Sequence, residues 1–390
     1  MRRVYLDNNS TTSIDPRVAE AMMPYVKDLY GNPSNLHSFG RECAEGLAQA
    51  REQVAGFLNA DVEELFFTGS GTESDNWAVK GTAYAHKDKG NHIICSPVEH
   101  GAVLESVRYL ETQGFKVTWL KVDEYGRVDP EELRMAITDK TVLVTVMLAN
   151  NEIGTIEPVE EIAAICRERG VCSHTDAVAA AGKLEVDVQS LGVDLLTISG
   201  HKLHAPKGIG ALYVRQGTVI HPFVHGGHQE RGLRAGTENV IGAVGLGRAC
   251  ELLKSEWRED AARVKKLRDR LEKGILDRIP EVRLNGHPEL RAPNVSHFSV
   301  GYVEGEALLL NLDLEGVAVA SGSACSAGED GVSATLEAIR VPPLFRNSPV
   351  RFSFGTGNAD EDVDYTLGVF EKVVARLRDI SPIWKTRKNN

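Results

Sequence analysis

The sequence predicts an α/β protein with a mostly parallel central sheet flanked by helices, joined to a smaller α+β domain. Three observations predict it. From about residue 60 to 215, apolar runs of strand length alternate with amphipathic stretches of helical length. Beyond residue 278 the pattern changes to short strands punctuated by Pro280, Pro288 and Pro293. A chain of 390 residues is also long enough for about two domains, each with its own core.

Taken in order, LFFT, HIICS, KVTWLK, VLVTVML, VCSHT, VDLLTIS and IGALYVR read as strands. Their short, apolar character is that of buried parallel strands. Between them, AVLESVRYLETQG, PEELRMAI and PVEEIAAICRERG read as helices. Pro130 and Pro158 stand near the starts of two of these, where a missing N–H costs least. Two long helices, over residues 237–256 and 260–278, are expected next. No internal repeat or low-complexity segment is apparent.

Composition narrows the function classes. The chain is 42% hydrophobic and 25% charged, as in ordinary soluble proteins. A net charge of −11 argues against nucleic-acid binding, which needs clustered Lys and Arg. The one basic cluster, Lys385-Thr386-Arg387-Lys388, reads as a solvated terminal tail. MRRVYLDNNSTT lacks the apolar stretch of a secretory signal, and no apolar run reaches the roughly 20 residues that span a bilayer, so no membrane partner is expected. The six cysteines form no C-x-x-C pair or disulfide framework, which points to a reducing cytoplasm.

Asp176 and Lys202 each follow one of the predicted strands. A carboxylate and an amine would then stand at the C-terminal ends of strands, where open α/β sheets bind ligands. That pairing suits pyridoxal 5′-phosphate: Lys202 would hold its aldehyde as a Schiff base, and Asp176 would pair with the pyridinium nitrogen. The strand-turn-helix stretch FFTGSGTESDNWAVKG, with Gly71 in the turn and Thr72 near the cap, fits either a phosphate cradle or an ordinary connection. It lacks the Gly-Lys-Ser/Thr ending of a nucleoside-triphosphate loop. Ser199 and His201 flank the lysine as candidate phosphate ligands. His100, after HIICS, is either a polar loop residue or a ring-stacking proton carrier.

Cys325 lies in VAVASGSACSAGEDG, a Gly/Ser/Ala run that reads as a mobile, exposed loop. It is either a small loop residue or a nucleophile, since the thiolate fraction of a thiol is strongly nucleophilic. Arg351 in PVRFSFG is either a surface salt-bridging residue or a two-pronged grip for an α-carboxylate. The pairs His201/His204 and His225/His228 lack the acidic partner of a metal motif, so no metal is expected.

Together these residues resemble the NifS/IscS-type cysteine desulfurases, of the pyridoxal-phosphate-dependent class-V aminotransferase group (fold type I). The resemblance runs through YLDNNSTT, GNPSNLHSFG, TGSGTESDN, EHGAVL, NNEIGTIEP, HTDA, SGHKLHAPKGIGALYV, RAGTENV, SGSACSAG and RFSFG. It implies a large cofactor domain over 14–258, and a small domain of 1–13 with 259–390 that carries the cysteine loop. It implies Lys202 as the Schiff-base residue, Asp176 on the ring nitrogen and His100 stacked on the ring. Gly71, Thr72, Ser199 and His201 would hold the phosphate. Thr237 would reach it from a neighbouring subunit, making a homodimer. Asn151 and Arg351 would bind the substrate carboxylate, and Cys325 would accept sulfur from L-cysteine for a sulfur-acceptor or iron–sulfur scaffold protein. A selenocysteine lyase or related aminotransferase, and a catalytically impaired scaffold, are the alternatives.

One departure stands out. Where the family usually carries a glutamine three residues after the aspartate, HTDAVAAAGK has Ala179. Alanine cannot donate a hydrogen bond, which predicts altered cofactor protonation and slower chemistry with cofactor binding retained.

Overall fold

The computed structural model describes residues 2–322 and 333–388. Its central sheet has seven strands in the order Leu65–Thr68, Gly210–Val214, Leu195–Ser199, Cys172–Asp176, Thr141–Thr145, His92–Cys95 and Lys116–Trp119. The last five run parallel, and Gly210–Val214 is antiparallel to both neighbours. All seven are strands that the sequence predicts. Leu65–Thr68, His92–Cys95, Thr141–Thr145, Leu195–Ser199 and Gly210–Val214 are buried at every position. Burial on both faces explains why they read as unbroken apolar runs. The edge strand Lys116–Trp119 is more exposed.

A second, three-stranded antiparallel sheet places Val295–Val300 between Val282–Asn285 and Pro349–Ser353. Val4–Tyr5 pairs in parallel with Val317–Ala318, and Asp7 bridges to Ser353, so the N-terminal strand joins this part of the chain.

One long helix, Val240–Arg278, replaces the two that the sequence predicts. The expected break falls in SEWREDA, which contains neither Gly nor Pro and consists largely of good helix formers, so nothing stops the helix. Its first half packs Ala243, Leu246 and Leu253 into the apolar cluster around the central sheet. Its second half packs Val264, Leu267 and Leu271 into a separate cluster with Phe298 and Phe352.

The C-terminal tail is ordered as a helix, while Lys385 and Thr386 of the basic cluster are exposed, as expected. Pro382–Lys388 is helical, with Trp384 stacked 5.0 Å from the Tyr302 ring and Arg378 4.7 Å above Trp384. An aromatic ring offers enough contact area to dock a short terminal helix that charge alone would leave in solvent.

Of the five cysteines described, four are buried and Cys172 is half-buried, all as free thiols. Burial pushes the Cys95, Cys172 and Cys250 thiols up, and that of Cys166 to about 12. Such thiols are poor nucleophiles at neutral pH.

Glu157, buried just before helix Val159–Arg169, accepts the Val128 N–H at 2.9 Å and leaves Oε1 without a partner. Desolvation raises its pKa to about 8. The fold therefore keeps a proton that the unfolded chain loses above about pH 4.3, so this group's contribution declines as pH rises toward 8. Glu157→Gln is expected to cancel that decline, which is on the order of a few kcal/mol. Melting temperatures of the two proteins, scanned across pH, should coincide in acid and diverge in favour of the variant toward pH 8.

Candidate active site

Asp176 ends strand Cys172–Asp176, and Ser199 ends its parallel neighbour Leu195–Ser199. Both open on the same edge of the sheet. Ser199 leads into the tight turn Gly200–Lys202, which carries Lys202 one turn beyond the strand. The Lys202 ammonium donates to the carbonyls of Asn9 and Ser10, the latter at 2.8 Å. The YLDNNSTT segment thus anchors the lysine. His201 joins it through the 2.9 Å bonds from Thr12 N–H and Thr12 Oγ1 to its carbonyl. Burial, and then the neighbouring Lys202, push the His201 imidazole down to about 4, so it is neutral.

On the adjoining side, strand Leu65–Thr68 runs through Gly69 and Ser70 into helix Gly71–Asn76. Ser70 caps the helix by accepting from Glu73 N–H at 3.1 Å, placing Thr72 one residue inside it. A Cβ at Gly71 would come within 2.9 Å of Val178 Cγ2 and 3.1 Å of Ser199 Cβ, so only glycine lets the turn sit this close to both strand ends. Glu73 braces the turn. Its carboxylate accepts from Gly69 N–H at 2.7 Å and from Arg234 Nε at 2.7 Å.

His100 caps helix Gly101–Thr112 by accepting from Ala102 N–H at Nδ1, 3.2 Å away, which places the proton of the neutral ring on Nε2. Asp75, His100 and Asp176 each bring a potential ligand atom within 4.8 Å of the others. Asp176 Oδ1 accepts the Val178 N–H at 2.8 Å. Burial raises the Asp176 pKa, while His100 and Lys202 pull it back toward ionisation.

Arg351 enters from strand Pro349–Ser353. It is buried, not the surface residue that one sequence reading allowed. Nη1 donates to Asn151 O at 2.9 Å, and Nη2 donates to Asp7 Oδ1 and Ser10 Oγ at 2.8 Å each; Nε has no partner among the described residues.

These groups line one cavity of about 320 Å³. It brings together Gly71, Thr72, His100, Asn151, Asp176, Ser199, His201, Lys202 and Arg351, with Ala179 in its wall. That volume is at the lower end of small-molecule sites. Two predicted residues are elsewhere. Thr237 is exposed in the loop before helix Val240–Arg278 and does not line the cavity of its own chain. Cys325 lies outside the described residues.

The class-V aminotransferase profile matches residues 4–366, a span holding every residue of this cavity. The chain belongs to the class-V aminotransferase family. Among class-V relatives, it is 49% identical over 392 residues to "Cysteine desulfurase IscS" of Dictyoglomus turgidum, covering all of both chains. A solved "NifS-like protein" superimposes with a TM-score of 0.91 at 38% identity, over 96% of this chain and 100% of that one. A structure described as "SspA in complex with cysteine" gives a TM-score of 0.80 at 33% identity, over 90% and 99% respectively.

Sequence reasoning missed several contributors to this class-V site, Asn9, Ser10, Asp75, Glu99 and Glu152 among them. Asn9 and Ser10 act through backbone carbonyls, which no side-chain motif marks. Asp75 and Glu99 line the cavity beside residues that were singled out, inside TESDN and EHG. Acidic residues next to a glycine-rich turn or a histidine carry no signal of burial, and only tertiary packing shows it.

Proposed function

We propose that the protein is a pyridoxal 5′-phosphate-dependent cysteine desulfurase that converts L-cysteine to L-alanine and passes the sulfur to Cys325. The observation that carries this reading is the convergence of Asp176, Lys202 and Arg351 on one cavity from separate strands. The residues fit the cofactor. An amine and a buried carboxylate face one space, a glycine-only turn adjoins it, and Asp75 Oδ1 is a buried oxygen with no hydrogen-bond partner among the described residues.

When bound, the cofactor supplies a cationic ring that takes up the electron pair released at the substrate α-carbon. Asp176 would hold the proton on the ring nitrogen, and His100 would cover the ring. Gly71 N–H, Thr72, Ser199 and His201 would hold the phosphate, with neutral His201 offering its one N–H as a donor. Lys202 Nζ would be the covalent anchor of the cofactor and would accept the substrate α-proton. Asn151 and Arg351 would bind the substrate carboxylate. The Cys325 thiolate attacks the substrate sulfur: an S–S bond forms, the C–S bond breaks, and its electron pair stays with the carbon skeleton that becomes alanine.

A homodimer agrees with two features. Thr237 is exposed and absent from its own chain's cavity, and Tyr30, Leu36 and Phe39 are 76%, 90% and 52% exposed. We read the chain as a large domain, 14–258, and a small one, 1–13 with 259–390, a division supported by the two apolar clusters along helix Val240–Arg278. The acceptor of the sulfur is a separate sulfur-carrying or iron–sulfur assembly protein, and the compartment is the cytoplasm. No helix among the described residues is long and apolar enough to cross a membrane.

Ala179 bears on the rate. Restoring a donor with Ala179→Gln is expected to shift the cofactor's absorbance titration and raise turnover, by about 2- to 10-fold for one neutral hydrogen bond of roughly 0.5–1.5 kcal/mol. An unchanged titration and rate would show that position 179 plays no part. Activity on L-cysteine itself tests the whole reading.

A further inference from the structure

The cavity contains more acid than one cofactor nitrogen requires. Four carboxyl groups line it, Asp75, Glu99, Glu152 and Asp176, at 1%, 3%, 2% and 4% exposure; Glu152 accepts from Ser333 Oγ at 2.6 Å, which leaves the other three to account for. Ligand atoms of Asp75 and Asp176 lie within 4.8 Å of each other. Three ionised carboxylates this close and this dry would repel one another and lose their hydration, and only charge partners could offset that.

The partners are unevenly shared. Asp176 accepts a backbone N–H, and the Lys202 ammonium favours its ionised form. Asp75 faces His174, whose Nε2 is 3.6 Å from Asp75 Oδ1. That imidazole is no cation: burial pushes it down to about 3, and its nitrogens are taken by Thr145 Oγ1 at 2.9 Å and Thr197 Oγ1 at 3.2 Å. Among the described residues, Asp75 Oδ1 is left without a hydrogen bond. Glu99 accepts the Met147 N–H at 2.6 Å through Oε1, while Oε2 has no partner. The charged group acting on Glu99 is Asp176, itself an acid. An anionic oxygen that is buried and undonated costs far more than a neutral one.

We infer that Asp75 and Glu99 are held as neutral carboxylic acids beside Asp176, so that of these three only Asp176, the residue facing the ring, is charged. Burial first, and then the charge of Asp176, push both carboxyls well above their usual range, with a hydrogen bond from Thr197 pulling Asp75, and a backbone N–H pulling Glu99, part of the way back. Asp75 and Glu99 are positioning residues: they exclude water from Asp176 without competing with it for the proton on the ring. This inference rests on the proposed pairing of Asp176 with the cofactor.

The test is infrared spectroscopy of the holoenzyme at neutral pH, following the carbonyl stretch of protonated carboxyl groups and its shift in deuterium oxide. Wild type should show the band, Asp75→Asn and Glu99→Gln should each remove part of it, and the double variant should remove most of it. Circular dichroism checks that each variant is folded. If the double variant does not fold, the two single variants decide. A wild type with no such band, or a band that both substitutions leave intact, overturns the inference. The visible absorbance of the same samples separates the two claims. A preparation that binds no pyridoxal phosphate counts against the proposed function, while the band still reports on Asp75 and Glu99.

Discussion

Lys202→Ala is expected to abolish turnover of L-cysteine, lowering kcat by about 10⁴-fold or more, as when one member of a tightly interdependent catalytic unit is removed. The amine has two tasks, as covalent anchor and as α-proton acceptor, and no other lysine of the described residues lines the cavity. The substitution also strips donors from the Asn9 and Ser10 carbonyls. Ser10 is exposed and water can replace the lost donor there, but leaving the buried Asn9 carbonyl unpaired costs about 1–3 kcal/mol, so the YLDNNSTT segment should loosen. Pre-steady-state kinetics and a melting curve read the two consequences separately. Residual turnover above about 1% of wild type would remove Lys202 from the mechanism.

The second large effect is expected at Arg351. Charge-assisted hydrogen bonds to a carboxylate contribute about 1.5–3 kcal/mol, so Arg351→Ala should raise KM for L-cysteine by about 10- to 150-fold. The same guanidinium pairs with Asp7 in a largely buried ion pair, with side-chain exposures of 4% and 19%. Removing one member of such a pair costs about 3–5 kcal/mol, and Arg351→Ala should therefore also melt earlier. Asp7→Asn separates the two roles. It weakens the ion pair and keeps the arginine, so stability should fall while KM rises much less. If Asp7→Asn raises KM as far as Arg351→Ala does, Arg351 acts by holding the N-terminal segment and not by binding substrate.

The sheet was legible because its strands are buried on both faces, and double burial writes itself as contiguous Val, Ile and Leu. The ends of those strands were legible for the same reason, and with them Asp176 and Ser199, and Lys202 one turn further on. What escaped depends on partners distant in sequence. Lys202 meets carbonyls 192 and 193 positions away, and Arg351 meets Asp7 across 344. The Trp384 stack on Tyr302 orders the tail as a docked helix. The continuity of Val240–Arg278 was missed for a local reason: the pattern dips in apolar content near Arg258–Asp260, where the helix passes from one apolar cluster to the other. Asp75 and Glu99 show the general limit, since a carboxyl's burial belongs to the fold around it and not to its own residue type.

The central claim is that the chain moves sulfur from L-cysteine to its own thiol. The most direct measurement is the release of alanine and sulfide from L-cysteine in the presence of a reductant, comparing the wild-type holoenzyme with Cys325→Ala. Equal yields of the two products from wild type, abolished by the substitution, are the predicted result. Alanine and sulfide at undiminished rates from Cys325→Ala, or no turnover by a wild type that has bound pyridoxal phosphate, would contradict it.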